Sequence, residues 1–288
     1  THGVHDPSTD SRQKTPTTDA ADGLLKHRTE GPERPIRLGA LDVEAHLSDP
    51  ERKQQFVTPM FDVIAPRYDT FTKMFSFGMD AGWKRDALKA ATERAGRATN
   101  ALDLACGTGD FVLALATALP ELRVAGIDAS PRMIDLAHAR MNDATVAWPV
   151  RDRVSARVGD MMCIDVADGS VDLITAGYGV RNVPDAPTAV REMARVLKPG
   201  GTLVTLDFYR PELAWWRSLL LGYLSVAGNV VGWWWHRDAI VYGYISKSIE
   251  HFMSWQAFSA LLEAEGFAVQ RVVRHLGGGI AMHVATRR

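Results

Sequence analysis

The sequence predicts an α/β protein: a doubly wound, mostly parallel sheet of seven strands under an N-terminal helical lid. Three observations carry that prediction. From residue 100 onward, short runs rich in Val, Ile and Leu alternate with helix-like segments, the order in which parallel sheets are wound. The first run, NALDLA, leads into CGTGD, which sets Gly107 and Gly109 on either side of Thr108. Two last runs, AVQRVVRHL and IAMHVATRR, read as closing strands.

Residues 1–48 are rich in Thr, Asp, Pro and Gly and poor in large apolar side chains. Such a segment buries too little surface to offset its ordering entropy and is expected to be a disordered extension. Residues 49–288 are expected to form one domain. Its cap, 49–97, carries aromatics at irregular helical spacings and Pro66, which should break it, so two or three short helices are predicted ahead of the sheet. In the core, 98–210, NALDLA is followed by a helix over 110–118 and then the strand RVAGID. Ser130 and Pro131 open the next helix, as N-cap and first helical residue. RVSARVGD, VDLITAG and TLVTLDF are three more strands, the last preceded by a helix near 189–196 and a turn at Pro199, Gly200 and Gly201. Residues 211–253 form an apolar, Trp-rich lid insertion. In 254–288, Ser254 caps a helix that Gly266 ends, ahead of the closing strands.

Composition narrows the function classes. With 46% apolar and 23% charged residues, the 288-residue chain reads as an ordinary soluble protein. A net charge of -1 gives no reason to expect nucleic acid as a partner. Two cysteines, Cys106 and Cys163, are too few for a disulfide scaffold, although one bridge between them stays open. The nine histidines form no metal-binding pair, so no metal is expected. The N-terminus lacks an apolar signal-peptide core.

The glycine turn invites a dinucleotide reading, but GxGxxG fails: the third glycine position is Val112. What remains is acidic. Asp103 ends the first strand, Asp128 the second and Asp160 the third. Alone, each is most simply a solvated loop residue. Together they surround the carboxyl edge of the sheet, where such folds bind ligands. Gly107 and Gly109 let backbone approach a ligand closely. Asp128 is placed to accept from ribose hydroxyls. Asp160, with Met161 and Met162, suits an adenine. Phosphates would be repelled by this rim and a sulfonium would not, which points to S-adenosylmethionine, released as S-adenosylhomocysteine.

Beyond that turn lie VIAPRYDTFTKMFSFGMDAGWKR, GYGVRNVPD, REMARVLKPGG, YGYISKSIEHF and GGGIAMH. With these the chain resembles the class I S-adenosylmethionine-dependent methyltransferases, and more narrowly the UbiE-type C-methyltransferases of ubiquinone and menaquinone biosynthesis. The resemblance spans about residues 51–283. It implies that Thr108, Asp128 and Asp160 contact the cofactor, with the Met161 amide at the adenine. It also implies a lipophilic quinol substrate and a cytoplasmic enzyme; Tyr68 and Asp69 lie in the expected lid, where Tyr68 is either a residue of the cofactor and catalytic site or plain core packing. Ala176 stands where some members carry a cofactor-contacting Ser.

Methylating a ring carbon demands orientation and stabilised phenolate charge. Arg181 is expected to stabilise that charge or order Tyr68, and Asn182 to orient a hydroxyl or water. His283 in a terminal strand reads most simply as a core histidine, while the resemblance implies a substrate-side role. Cys106 reads as packing. Three alternatives stay open: an O- or N-methyltransferase of a small metabolite, a non-catalytic cofactor-binding module, and, weakest, a nicotinamide oxidoreductase.

Residues 213–235 carry one charge, Arg217. Their length would suit a membrane span, but the following helix and strands must return to the same sheet. Two readings stay open instead: a helical lid completing the core, and a greasy wall for an isoprenoid tail with tryptophans at a membrane surface. A homodimer stays open.

Overall fold

The computed structural model describes residues 50–67, 70, 72, 76, 78–236 and 240–288. The 1–48 extension, Tyr68 and Asp69 lie outside them. The predicted sheet is found, with strands β1 (Asn100–Leu104), β2 (Arg123–Asp128), β3 (Val154–Val158), β4 (Val171–Gly177), β5 (Leu197–Phe208), β6 (Phe267–His275) and β7 (Ile280–Arg287). Their spatial order is β3-β2-β1-β4-β5-β7-β6. The first five are parallel, and β7 runs antiparallel between β5 and β6.

Two layers of helix follow from the period-2 alternation of the strands. Leu173 and Val204 face a core shared with α2 (Asp80–Ala95), α3 (Asp110–Ala118) and α4 (Pro131–Met141). Their neighbours Ile174 and Leu203 face the opposite core. There they meet α6 (Ala186–Val196) and α9 (Trp255–Ala264), while the short α5 (Trp148–Arg151) precedes β3. Local signals set the helix starts as predicted. Ser130 accepts from the amide of Met133 and Ser254 from that of Ala257. Asp185, accepting from Thr188, starts α6 earlier than the sequence suggests. At the other boundary predicted loosely, pairing begins at Leu197, so β5 absorbs the Pro199–Gly201 turn.

A third core closes the C-terminal edge of the sheet. Val57, Met60 and Ile64 of α1 (Pro50–Ile64) pack with Leu220 and Leu224 of α7 (Ala214–His236) and with Tyr244 and Ile249 of α8 (Ile240–His251). The apolar segment is therefore a helical lid. No described helix is long and apolar enough to cross a membrane. Strand order reverses between β1 and β4, which opens a crevice beneath this lid.

Candidate active site

The crevice is lined by residues from four strand ends. Asp103 of β1, Gly107 and Thr108 of the glycine turn, Asp128 of β2, Asp160 and Met161 beyond β3, and Gly177 at the end of β4 share one cavity. Gly109 is not on its wall. It adopts a left-handed backbone, φ 86°, as N-cap of α3, and so aims the helix start at the cavity. At Gly179, after β4, a Cβ would come within 2.4 Å of the Ala105 Cβ, so glycine is needed for the two strand ends to approach. Ala105 and Tyr178, one after each of these strands, themselves have positive φ of 52° and 59°. Non-glycine residues rarely adopt that conformation, and here both line the cavity.

Each acid is held differently. Asp103 is 1% exposed. Its Oδ1 accepts from the Thr175 hydroxyl at 2.6 Å, and its Oδ2 is buried without a partner among the described residues. Burial pushes its carboxyl up to about 7, against the hydrogen bond from Thr175. Asp128 accepts from the amides of Gly107 (2.8 Å, Oδ2) and Ser130 (2.9 Å, Oδ1), and burial raises it as well. Each of those oxygens keeps a second lone pair for a ligand hydroxyl. Asp160 Oδ1 accepts from the Met162 amide at 2.8 Å, which curls the segment after β3 into the cavity wall.

Cations absent from the sequence reading complete this site. Lys84 of α2 lines the cavity and holds Asp110 at 2.9 Å. Arg140 of α4 reaches Asp110 at 2.7 Å and donates to the Thr108 hydroxyl at 2.6 Å. Burial opposes ionisation of Asp110, yet Lys84 and Arg140 hold its carboxyl below the usual range. Nothing local in WKR or HAR announces this, because the partners lie on helices brought together only by the sheet. Cys106 is buried in the cavity wall and Cys163 is exposed; both are free thiols. No group of His, Cys, Asp and Glu suited to a metal occurs among the described residues.

A second, mainly apolar cavity adjoins the first, with Phe61 and Tyr178 in the walls of both. Met60, Trp83, Phe208, Leu220 and Leu224 supply much of its surface. Arg181 enters it from the turn after β4. Arg181 is 5% exposed, and its guanidinium pairs with Asp207 Oδ1 at 2.9 Å and lies 5.1 Å above the Phe208 ring centre. Asn182 instead lines the first cavity: its Nδ2 donates to the Tyr178 carbonyl (3.0 Å) and its Oδ1 accepts from the Tyr244 hydroxyl (3.1 Å). Lys53 of α1 clasps this turn by donating to the carbonyls of Arg181 (2.9 Å) and Val183 (2.6 Å). Burial, with the nearby Arg181 charge, pushes Lys53 down to about 8.

Asp207 orders Arg181; Tyr68, which Arg181 was expected to order, lies outside the described residues. His283 lines neither cavity. It is fully buried in β7, where its Nε2 meets the Trp255 carbonyl at 3.1 Å and the Ser259 hydroxyl at 3.0 Å. Burial lowers it to about 4. These surroundings are those of a satisfied core histidine, the plainer of the two expectations: β7 pairs His283 with Thr205, and its ring packs edge-on against Tyr209 and Phe258.

The ubiE/COQ5 methyltransferase family matches residues 49–287. A ubiquinone/menaquinone biosynthesis C-methyltransferase UbiE of Geotalea uraniireducens is 35% identical over 232 residues, 80% of this chain and 94% of the relative. A demethylmenaquinone methyltransferase of Listeria welshimeri is 30% identical over 239 residues, 83% and 98% of the two chains. Among solved structures, geranyl diphosphate C-methyltransferase from Streptomyces coelicolor aligns over 85% of this chain and 88% of its own, with TM-score 0.52 and 17% identity. The YcgJ protein of Bacillus subtilis aligns over 71% and 99%, with TM-score 0.50 and 19% identity. At such identities the two structures speak for the fold.

Proposed function

The chain belongs to the ubiE/COQ5 methyltransferase family, and on that premise we propose that it transfers the methyl group of S-adenosylmethionine to a ring carbon of a prenylated quinol. The observation that carries this reading is the pair of adjoining cavities, one rimmed by acids and one apolar, with Phe61 and Tyr178 common to both.

The acid-rimmed cavity fits the cofactor on an observation of its own. Asp103 Oδ2 is buried with no partner among the described residues, a state a cationic ligand group relieves. A zwitterionic amino-acid end also needs a cation for its carboxylate, and Lys84 supplies one. Asp128 takes the ribose hydroxyls. Asp160 and the Met161 amide hold the adenine, and Gly107 and Thr108 lie along the backbone approach. S-adenosylmethionine, when bound, supplies an electrophilic methyl group.

The protein's remaining work is orientation and charge. The apolar cavity excludes water around the acceptor ring and takes its tail. Arg181, held in place by Asp207, presents N–H donors to an acceptor oxygen as negative charge grows there. Its guanidinium stays protonated and acts as a donor, not a base. Asn182 keeps the junction of the two cavities in shape through Tyr178 and Tyr244. His283 keeps a packing role.

A membrane-borne substrate also suits the lid. Trp215, Leu219, Tyr223 and Val226 recur along one face of α7 and are 68%, 58%, 37% and 65% exposed. Leu219 and Tyr223 also belong to the apolar cavity wall. We infer that this face rests on the bilayer and admits the acceptor from it. The reading is tested by supplying the gene to a host lacking its own quinone methyltransferase and analysing the quinones by mass spectrometry. Restored methylated quinone supports it. Unmethylated precursor despite soluble, cofactor-binding protein would remove the quinol as substrate.

A further inference from the structure

The apolar cavity contains two charged side chains among its described lining residues, Arg181 and Asp80. Arg181 has Asp207 as counter-ion. Asp80, the first residue of α2, is 5% exposed in a wall otherwise built largely from Met, Trp, Phe and Leu. A carboxylate is costly to bury there without a task or a full set of partners. Its partners are loose. The Ser76 hydroxyl lies 3.3 Å from Oδ1, and the Lys84 ammonium, 3.4 Å from Oδ2, sits closer to Asp110 at 2.9 Å. Asp80 and Lys84 are one helical turn apart and straddle the partition: Lys84 lines the donor cavity, Asp80 the acceptor cavity.

We propose that Asp80 is the group that accepts the acceptor's hydroxyl proton, which makes it a catalytic residue. The proposal rests on the acceptor being a hydroxylated aromatic ring. As the ring carbon takes the methyl group, the hydroxyl becomes that of a protonated carbonyl, far more acidic than a phenol, so a carboxylate is base enough. The O–H bond breaks and its proton joins Asp80. The ring carbon forms the new C–C bond with a ring electron pair, and the pair of the broken C–S bond stays on sulfur. Loss of the C–H proton at that carbon to water restores aromaticity, and the proton on Asp80 returns to the oxygen. One proton is released per methyl transferred. Arg181 from the turn after β4 and Asp80 from α2 thus serve the acceptor with opposite charges. The other titratable groups that face this cavity or touch Asp80 among the described residues are Lys84, Tyr178, Tyr223 and Tyr244.

The test uses the full chain and Asp80→Asn, which keeps the size and the contact with Ser76. Without methyl donor, a prenylated hydroquinone and its methyl ether are titrated against both proteins, following tryptophan fluorescence. Wild type is expected to prefer the free hydroxyl by about tenfold or more, as a hydrogen bond to a charged group gives, and the variant to lose that preference. Turnover of the variant at pH 7 is expected to fall by about 10²-fold or more, with S-adenosylhomocysteine affinity unchanged. Its rate should recover as pH rises toward the phenol pKa of about 10, measured anaerobically, because phenolate needs no base. Equal turnover and an equal hydroxyl preference in the two proteins overturn the proposal. Wild type that binds the cofactor but methylates no quinol overturns the underlying reading instead. If the variant does not fold, the wild-type profile decides. A rate flat between pH 7 and pH 9 supports a protein base, and a tenfold rise per pH unit rejects it.

Discussion

Arg181 and Asp207 form a buried ion pair in which one carboxylate fixes both ends of the arginine: Asp207 Oδ1 meets Nη1 at 2.9 Å and Oδ2 accepts from the Arg181 amide at 3.1 Å. Asp207 is fully buried at the end of β5, next to the strand whose following turn carries Arg181. The pair joins the sheet to the apolar cavity. Removing one member strands the other's charge, which typically costs about 3–5 kcal/mol. Asp207→Ala should lose stability on that scale in denaturant titration and lose turnover with it. Arg181→Lys keeps the charge but not the fork, so turnover should fall while S-adenosylhomocysteine affinity stays near wild type. Unchanged turnover in Arg181→Lys would remove the guanidinium geometry from the mechanism.

Asp103 should make cofactor affinity depend on pH. In the free protein burial holds its carboxyl at about 7, and a bound cation favours the ionised form. Affinity for S-adenosylmethionine is therefore expected to weaken by up to about tenfold per unit as pH falls below 7. Calorimetry at pH 6 in buffers of different ionisation enthalpy should show a proton released on binding. Asp103→Asn should bind poorly at every pH and show neither effect.

The same carboxyl predicts a stability gain on mutation. Its folded value lies above the usual 3.8, so the folded state keeps a proton that the unfolded state has lost, and stability falls as pH rises from about 4 to about 7. The full effect is at most about 4 kcal/mol. Asp103→Asn should melt higher than wild type at pH 8. A lower melting point would mean that the negative charge at this position stabilises the fold.

His283 carries the opposite sign. Burial holds it neutral down to about 4, whereas an unfolded histidine takes up its proton near 6.5. Its contribution is complete above pH 6.5 and is lost as pH falls toward 4, by up to about 3 kcal/mol. His283→Gln should flatten that acid limb and retain turnover at pH 8. Loss of turnover in a folded variant would return the residue to the substrate side.

The exposed face of α7 is tested by flotation with vesicles containing anionic lipid. Wild type should float, and the double variant Trp215→Ser, Val226→Ser should stay at the bottom while still methylating a short-tailed, water-soluble quinol. Equal flotation of the two proteins would place the membrane contact elsewhere.

Much of this was legible in the residues because it is local. Ser130 with Pro131, Ser254 and the acids at strand ends are signals carried within a few positions of the elements they start or finish. The seven strands follow from the same alternation. The partners that distant elements bring together were not legible. Asp207 is 26 residues from Arg181, and nothing near either announces the other. Lys84 and Arg140 meet Asp110 only because α2, α3 and α4 pack on one face of the sheet. For His283 the sequence held two expectations, because a motif gives order along the chain and not the rings of Tyr209 and Phe258 that surround the imidazole.

The most direct test of the account is the position of the transferred carbon. Purified protein is incubated anaerobically with S-adenosylmethionine labelled with ¹³C in its methyl group and with a demethylated prenyl quinol, and the product is examined by NMR. The adjoining cavities predict a single new resonance from a methyl bonded to ring carbon. Label found as a methoxy carbon, or no transfer by protein that binds both ligands, would contradict it.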